Sequence, residues 1–216
     1  MSKVKRLTTL SVMAAMACLL MLVVRVPVMP LAPFLTYDPK DVIVVIGGFM
    51  FGPWAAVTIA VISAFVEMFF SETWLWGFVM NVTSSLAFAV PAALIYKFRR
   101  TLGGAIAGLA VGVAVVVPVM LAMNVLVVPL FMPFVERADV IGMLAGVFLP
   151  FNAIKYGLNA AFALVVYKPI IRALRAAGLL QVDENSPAQS HFVVMLVASL
   201  VIVGLAITII IMQVTP

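Results

Sequence analysis

The chain has 216 residues, 66% of them hydrophobic and 10% charged, a balance outside the range of soluble domains. Its formal net charge of +5 sits in basic clusters beside apolar runs, which speaks for membrane boundaries rather than for nucleic acid. The single cysteine, Cys18, excludes an internal disulfide framework, and the single histidine, His191, has no sequence partner for a metal site.

A basic N-terminus, Met1-Ser2-Lys3-Val4-Lys5-Arg6, leads into a first span from Leu7 to about Val26. The apolar run is longer than a signal-peptide core of roughly 7–15 residues, and no small-x-small cleavage site precedes Pro27, so we read it as retained. Pro27 to Asp41 is proline-rich, and its Asp38-Pro39 step forbids a continuous helix. The apolar stretch Val42 to Phe70 is too long for one ordinary span. We split it at Gly52-Pro53 into a short second span and a third from Trp54 to Phe70. The fourth span runs from Trp76 to Tyr96, the fifth from Gly103 to about Val128, and the sixth from near Ile141 to near Tyr167. A polar linker follows, and Phe192 to Met212 forms a last apolar helix. The expected organisation is a six-span domain over 1–180, a linker over 181–191 and an additional transmembrane helix over 192–216.

Positive charge tests the split. Lys3, Lys5 and Arg6 form one cluster, Lys97, Arg99 and Arg100 a second, and Lys168, Arg172 and Arg175 a third. Cytoplasmic loops carry the excess of Lys and Arg, so an even number of spans must separate successive clusters. Splitting at Gly52-Pro53 satisfies this and places the N-terminus in the cytoplasm. The outer loops then hold Asp38, Asp41, Glu72, Glu136 and Asp139.

Polar residues inside apolar spans carry the functional argument. Lys155 is the sharpest, since a charge at mid-membrane depth costs on the order of 3 kcal/mol on insertion scales. Asn152, Lys155 and Asn159 share one helical face. Glu67, Asn81 and Asn124 lie in other spans, toward the same outer end as Asn152. Each Asn has two readings, an interhelical hydrogen bond or a ligand contact. Glu67 and Lys155 have two as well, a self-neutralising buried pair or part of a pocket. Trp74, Trp76, Tyr37 and Phe34 read either as an interfacial belt or as platforms for a flat ring. On the first span, Ser11, Ala14, Ala15, Ala17 and Cys18 are small. The spacings Ser11 to Ala15 and Ala14 to Cys18 permit close helix approach, either within the fold or to another membrane subunit. No Gly-rich phosphate loop and no nucleophile-base arrangement are present, so neither an ATPase nor another enzyme is expected, and no cofactor is called for.

Taken together, several stretches resemble the S components of energy-coupling-factor (ECF) vitamin transporters, specifically their riboflavin-binding branch. They are Tyr37-Asp38-Pro39-Lys40-Asp41-Val42, Gly48-Phe49-Met50-Phe51-Gly52-Pro53, Pro91-Ala92-Ala93-Leu94-Ile95-Tyr96-Lys97, Asn124 with Pro129, and Leu149-Pro150-Phe151-Asn152-Ala153-Ile154-Lys155. The likeness covers about residues 1 to 177. It implies an all-α integral membrane protein, a six-helix S-component-like bundle, to which this chain adds one C-terminal transmembrane helix. It implies a multi-pass subunit of a prokaryotic plasma membrane with an outward pocket gated by the first loop. Its implied partners are a transmembrane coupling subunit and two cytoplasmic ATPases. The ligand contacts of riboflavin-binding relatives carry over to Asn124, Asn152 and Lys155, and the gate to residues around Asp38 and Asp41. Ser11, Ala14, Ala15 and Cys18 would dock the coupling subunit, although the family's Ala-x-x-x-Ala spacing is not strict here. The favoured reading is capture of riboflavin as the transported ligand. The alternatives are another vitamin, such as pantothenate or a pyridoxine-like ring, and a structural membrane protein whose buried polar groups only hold the bundle together.

Overall fold

The computed structural model describes residues 3–28 and 35–176. The expected linker and additional C-terminal helix lie outside the described residues, as does Phe34. Helices dominate: α1 Lys3–Val23, α2 Lys40–Phe51, α3 Pro53–Met68, α4 Trp74–Phe98, α5 Leu102–Phe131, α6 Arg137–Met143 and α7 Leu149–Ala176. A π-helical segment, Leu144–Phe148, joins α6 to α7, so the sixth expected span is one helical rod with a widened turn in it. The first span stops at Val23, short of the expected Val26, because the chain there turns extended. Val26–Pro27 (β1) pairs antiparallel with Thr36–Tyr37 (β2). Nothing in the residue pattern signals this small ladder.

Among the described residues, four stretches are long and apolar enough to cross a membrane: α1, α4, α5 and Arg137–Ile170. Their outward sides carry large exposed apolar residues, including Leu19, Leu75 and Leu126, as lipid-facing surfaces do. The division at Gly52-Pro53 stands. Gly52 adopts φ 92°, a left-handed conformation that glycine alone takes cheaply, and Pro53 opens α3 at a position where its missing N–H costs nothing. The 12 residues of α2 rise only about 18 Å, well short of an apolar core of roughly 30 Å. Every α2 residue from Lys40 to Phe49 is buried. A helix apolar all round belongs inside a bundle, and α1, α3, α4 and α7 surround this one.

The longest seam runs between α4 and α5. Gly108 and Gly112 of α5 make it possible: a Cβ at these positions would stand 2.7 Å from the Ala92 carbonyl oxygen and 2.5 Å from that of Phe88. Small residues one turn apart let two backbones meet in this way. At one end of the bundle the Tyr96 and Tyr167 hydroxyls lie 2.6 Å apart and tie α4 to α7. At the other end the α1 C-terminus, the α2 N-terminus, the α3 C-terminus and the α7 N-terminus converge. Up-and-down connectivity dictates this meeting, and the candidate site lies there.

Candidate functional site

A cavity opens at that end, with about 640 Å³ of space that includes its solvent-open mouth. Its walls come from the first loop (Arg25, Thr36, Asp38), α3 (Glu67), α4 (Asn81, Ser84), α5 (Met120, Phe131) and α7 (Phe151, Asn152, Lys155). Among the residues singled out in sequence, Asp38, Glu67, Asn81, Asn152 and Lys155 are therefore brought together. Asn124, Asp41 and Tyr37 are not among the lining residues.

Lys155 does not pair with Glu67, the partner weighed from sequence. Its Nζ donates to Asp38 Oδ2 at 2.8 Å and reaches the Thr36 carbonyl oxygen at 3.5 Å. Asp38 is itself buried, at 2% exposure, rather than lying in a solvated loop. Its second oxygen accepts the Lys40 backbone N–H at 3.3 Å, so one carboxylate both starts α2 and fixes Lys155. Burial opposes the charge on Asp38. The ammonium groups of Lys155 and Lys40 outweigh it and hold the carboxyl down at about 2.

Glu67 takes a different partner, Lys40, in a buried pair between α3 and the start of α2. Arg25 stands at 4.0 Å from the other Glu67 oxygen and donates to the Phe70 carbonyl oxygen and to Thr36 Oγ1, each at 3.4 Å. Neither Lys40 nor Arg25 was singled out from sequence. Lys40 stood in a proline-rich stretch read as loop, yet its exposure is 0%. The signal available was its place between two aspartates at the head of an apolar helix.

Asp41 is buried at 0% and accepts from Ser85 Oγ of α4 at 2.5 Å, which makes it a tether between helices. The Tyr37 hydroxyl donates to Asn159 Oδ1 at 3.2 Å and latches β2 to α7. Burial and the neighbouring Asp38 push this phenol's pKa well up, so it remains a donor. Asn124 lies one turn beyond Met120 and donates to its carbonyl oxygen at 2.6 Å. Asn152 donates in the same way to the Phe148 carbonyl oxygen at 2.7 Å, a carbonyl in the π-helical turn. Trp74 and Trp76 do not line the cavity; Trp74 is 66% exposed, as a membrane-boundary residue would be. The aromatic walls are Phe131, Phe151 and Tyr156, and Lys155 Nζ sits 6.0 Å from the Phe151 ring centre.

On α1, Ala14 is buried at 3%, with Met13 and Ala17, against the bundle. It packs within the fold and leaves the proposed docking face. Ser11 and Ala15 are exposed, and Cys18 is half-buried.

The arrangement offers apolar and aromatic walls, neutral carboxamides and hydroxyls, and a lysine whose charge is already balanced. This suits a flat, largely neutral molecule with hydrogen-bonding edges. Comparisons with known proteins bear on this geometry. Residues 5–167 match the family model for the substrate-specific component of ECF transporters. The riboflavin transporter RibU of Staphylococcus aureus (strain TCH60) is 29% identical over 148 residues, 66% of this chain and 78% of that protein. A solved structure of the S component of a bacterial ECF transporter superimposes with a TM-score of 0.69 at 28% identity, over 81% of this chain and 99% of that one.

Proposed function

The chain belongs to the substrate-specific components of ECF transporters, and we propose that its own substrate is riboflavin, taken up from the outer side. As a transporter component that binds substrate, it is not an enzyme. The observation that carries the proposal is the Lys155–Asp38 pair in the cavity wall. With Lys155 neutralised from within, the site does not call for an anionic ligand. A carboxylate vitamin such as pantothenate that engaged Lys155 would have to displace Asp38 and leave it buried without its cation, at a cost of about 3–5 kcal/mol. A flavin asks for no such exchange. Its ring faces suit Phe131, Phe151 and Met120, while its polar edges and hydroxylated tail suit Asn81, Ser84 and Asn152.

In this reading the first loop is the gate. Asp38 and Thr36 line the cavity from β2 and the turn into α2, and among the described residues Lys155 holds both Asp38 and the Thr36 carbonyl oxygen while Tyr37 bonds Asn159, which ties that segment to α7. By the positive-inside rule, the bases at the opposite end of the bundle support a cavity that opens on the outer side. Delivery then falls to a coupling subunit and two ATPases, which reorient the closed subunit within the membrane. Equilibrium titration of the purified protein with riboflavin tests the substrate. The expected result is saturable quenching of flavin fluorescence. Absence of quenching together with saturable pantothenate binding replaces the flavin reading.

A further inference from the structure

A second hollow lies at the end of the bundle opposite the cavity, with about 760 Å³ of space that includes its solvent-open mouth. It forms where the first turns of α1, the corner between α2 and α3, and the end of α4 meet. Arg6, Lys97 and Arg100 line it, and no carboxylate among the described residues does. Arg6 is steered there by its guanidinium, which donates at 3.4 Å to the Phe51 carbonyl oxygen at the end of α2. Lys97 and Arg100 are exposed. Gly52 adds an open patch of backbone, since nothing stands within 4 Å of where its Cβ would be. Trp54, 78% exposed, closes one side, and Phe98, 81% exposed, lies next to Lys97 in sequence.

Three cations around one hollow repel one another unless an anion joins them. Arginine's planar fork matches phosphate oxygens in pairs. A free phosphate would satisfy these charges but would leave the apolar flank at Trp54 unused. An amphiphile uses both, and basic pockets between transmembrane helices are where lipid headgroups bind. We propose that this hollow binds the phosphate headgroup of an anionic phospholipid, with Trp54 lying against the start of its acyl chains. The site is separate from the substrate cavity, and the inference is independent of which vitamin is carried.

The test is lipid retention by the full chain, purified from membranes and measured by native mass spectrometry. Its companion is the thermal midpoint with added phosphatidylglycerol, phosphatidylcholine or inorganic phosphate. Phosphatidylglycerol should be retained and should raise the midpoint, whereas phosphatidylcholine should do neither. Arg6→Gln, Lys97→Gln and Arg100→Gln should each weaken retention about tenfold, the loss of one charge-assisted contact. Trp54→Ala should weaken retention as well. Lys168→Gln with Arg172→Gln removes two bases that do not line the hollow and should change nothing. Equal loss in that control would reduce the effect to diffuse surface charge and overturn the site. Equal protection by inorganic phosphate, unaffected by Trp54→Ala, would assign the hollow to a free anion and overturn the lipid. No retained phosphatidylglycerol overturns both.

Discussion

Lys155 and Asp38 answer to each other across 117 positions of sequence, and this decides how their variants behave. Lys155→Met alone strands a buried carboxylate, so it should lose about 3–5 kcal/mol of stability. Adding Asp38→Asn removes that charge and should recover most of the loss. Riboflavin binding should stay weak in both variants. Thermal melting and titration in parallel separate the two effects, and flavin binding by the double variant at the level of the parent would show that Lys155 serves only the fold. The acid side gives a second check. Asp38 has its carboxyl lowered from an ordinary value near 4 to about 2. A lowered carboxylate stabilises the fold fully above its unfolded value and loses that contribution as pH falls through the folded one. The melting midpoint should therefore fall as pH drops from about 4 toward 2, and this part of the slope should vanish in the double variant. The sequence marked Lys155 as costly and therefore purposeful. It could not choose between Glu67 and Asp38 as its partner, because helix spacing says which residues share a face but nothing about which loop folds over that face. Lys40 escaped notice for a related reason: burial of a cation beside a proline is decided by the helices that close around it.

Among the elements, α2 departs most from what a membrane span ordinarily is. Its boundaries were legible, since Gly-Pro ends one helix and starts another and Asp-Pro precedes the first. Its depth was not, because apolar composition reads the same whether a helix faces lipid or other helices. The widened turn at Leu144–Phe148 was also hidden, since nothing in Leu-Ala-Gly-Val-Phe separates π-helical from α-helical pairing. That turn matters because Asn152, in the cavity wall, donates to the Phe148 carbonyl within it. The α4–α5 seam gives a prediction of opposite signs. Gly112→Ala sets a methyl 2.5 Å from a backbone oxygen and should destabilise by about 1–3 kcal/mol as the helices part. Gly142→Ala in α6 meets nothing within 4 Å and should gain about 0.5–1 kcal/mol through helix propensity alone. Melting midpoints of the two variants compare them directly, and equal shifts would mean that the seam is looser than its geometry.

For the whole molecule, the two ends of the bundle differ in kind: one holds the cavity and its compensated charges, the other the bases. Charge asymmetry between loops orients membrane proteins, so in a Cys18→Ala background a cysteine at Glu72 should react with an impermeant reagent from outside and one at Arg99 should not. The reverse labelling would invert the cavity to the cytoplasmic side. Uptake is the remaining property of the whole molecule, and α1 is where this chain would meet a coupling subunit. Burial separates two neighbours on that helix. Ala14→Trp forces a large ring into the packed core and should unfold the protein, because Ala14 is 3% exposed. Ser11→Trp and Ala15→Trp place their rings on the outward face, where small residues would let a partner helix approach. These two should leave melting and riboflavin titration near the parent values yet abolish uptake by cells that express the coupling subunit and ATPases. Unchanged uptake would move the docking surface elsewhere on the bundle. Uptake persisting in cells without those subunits would make the chain a carrier in its own right.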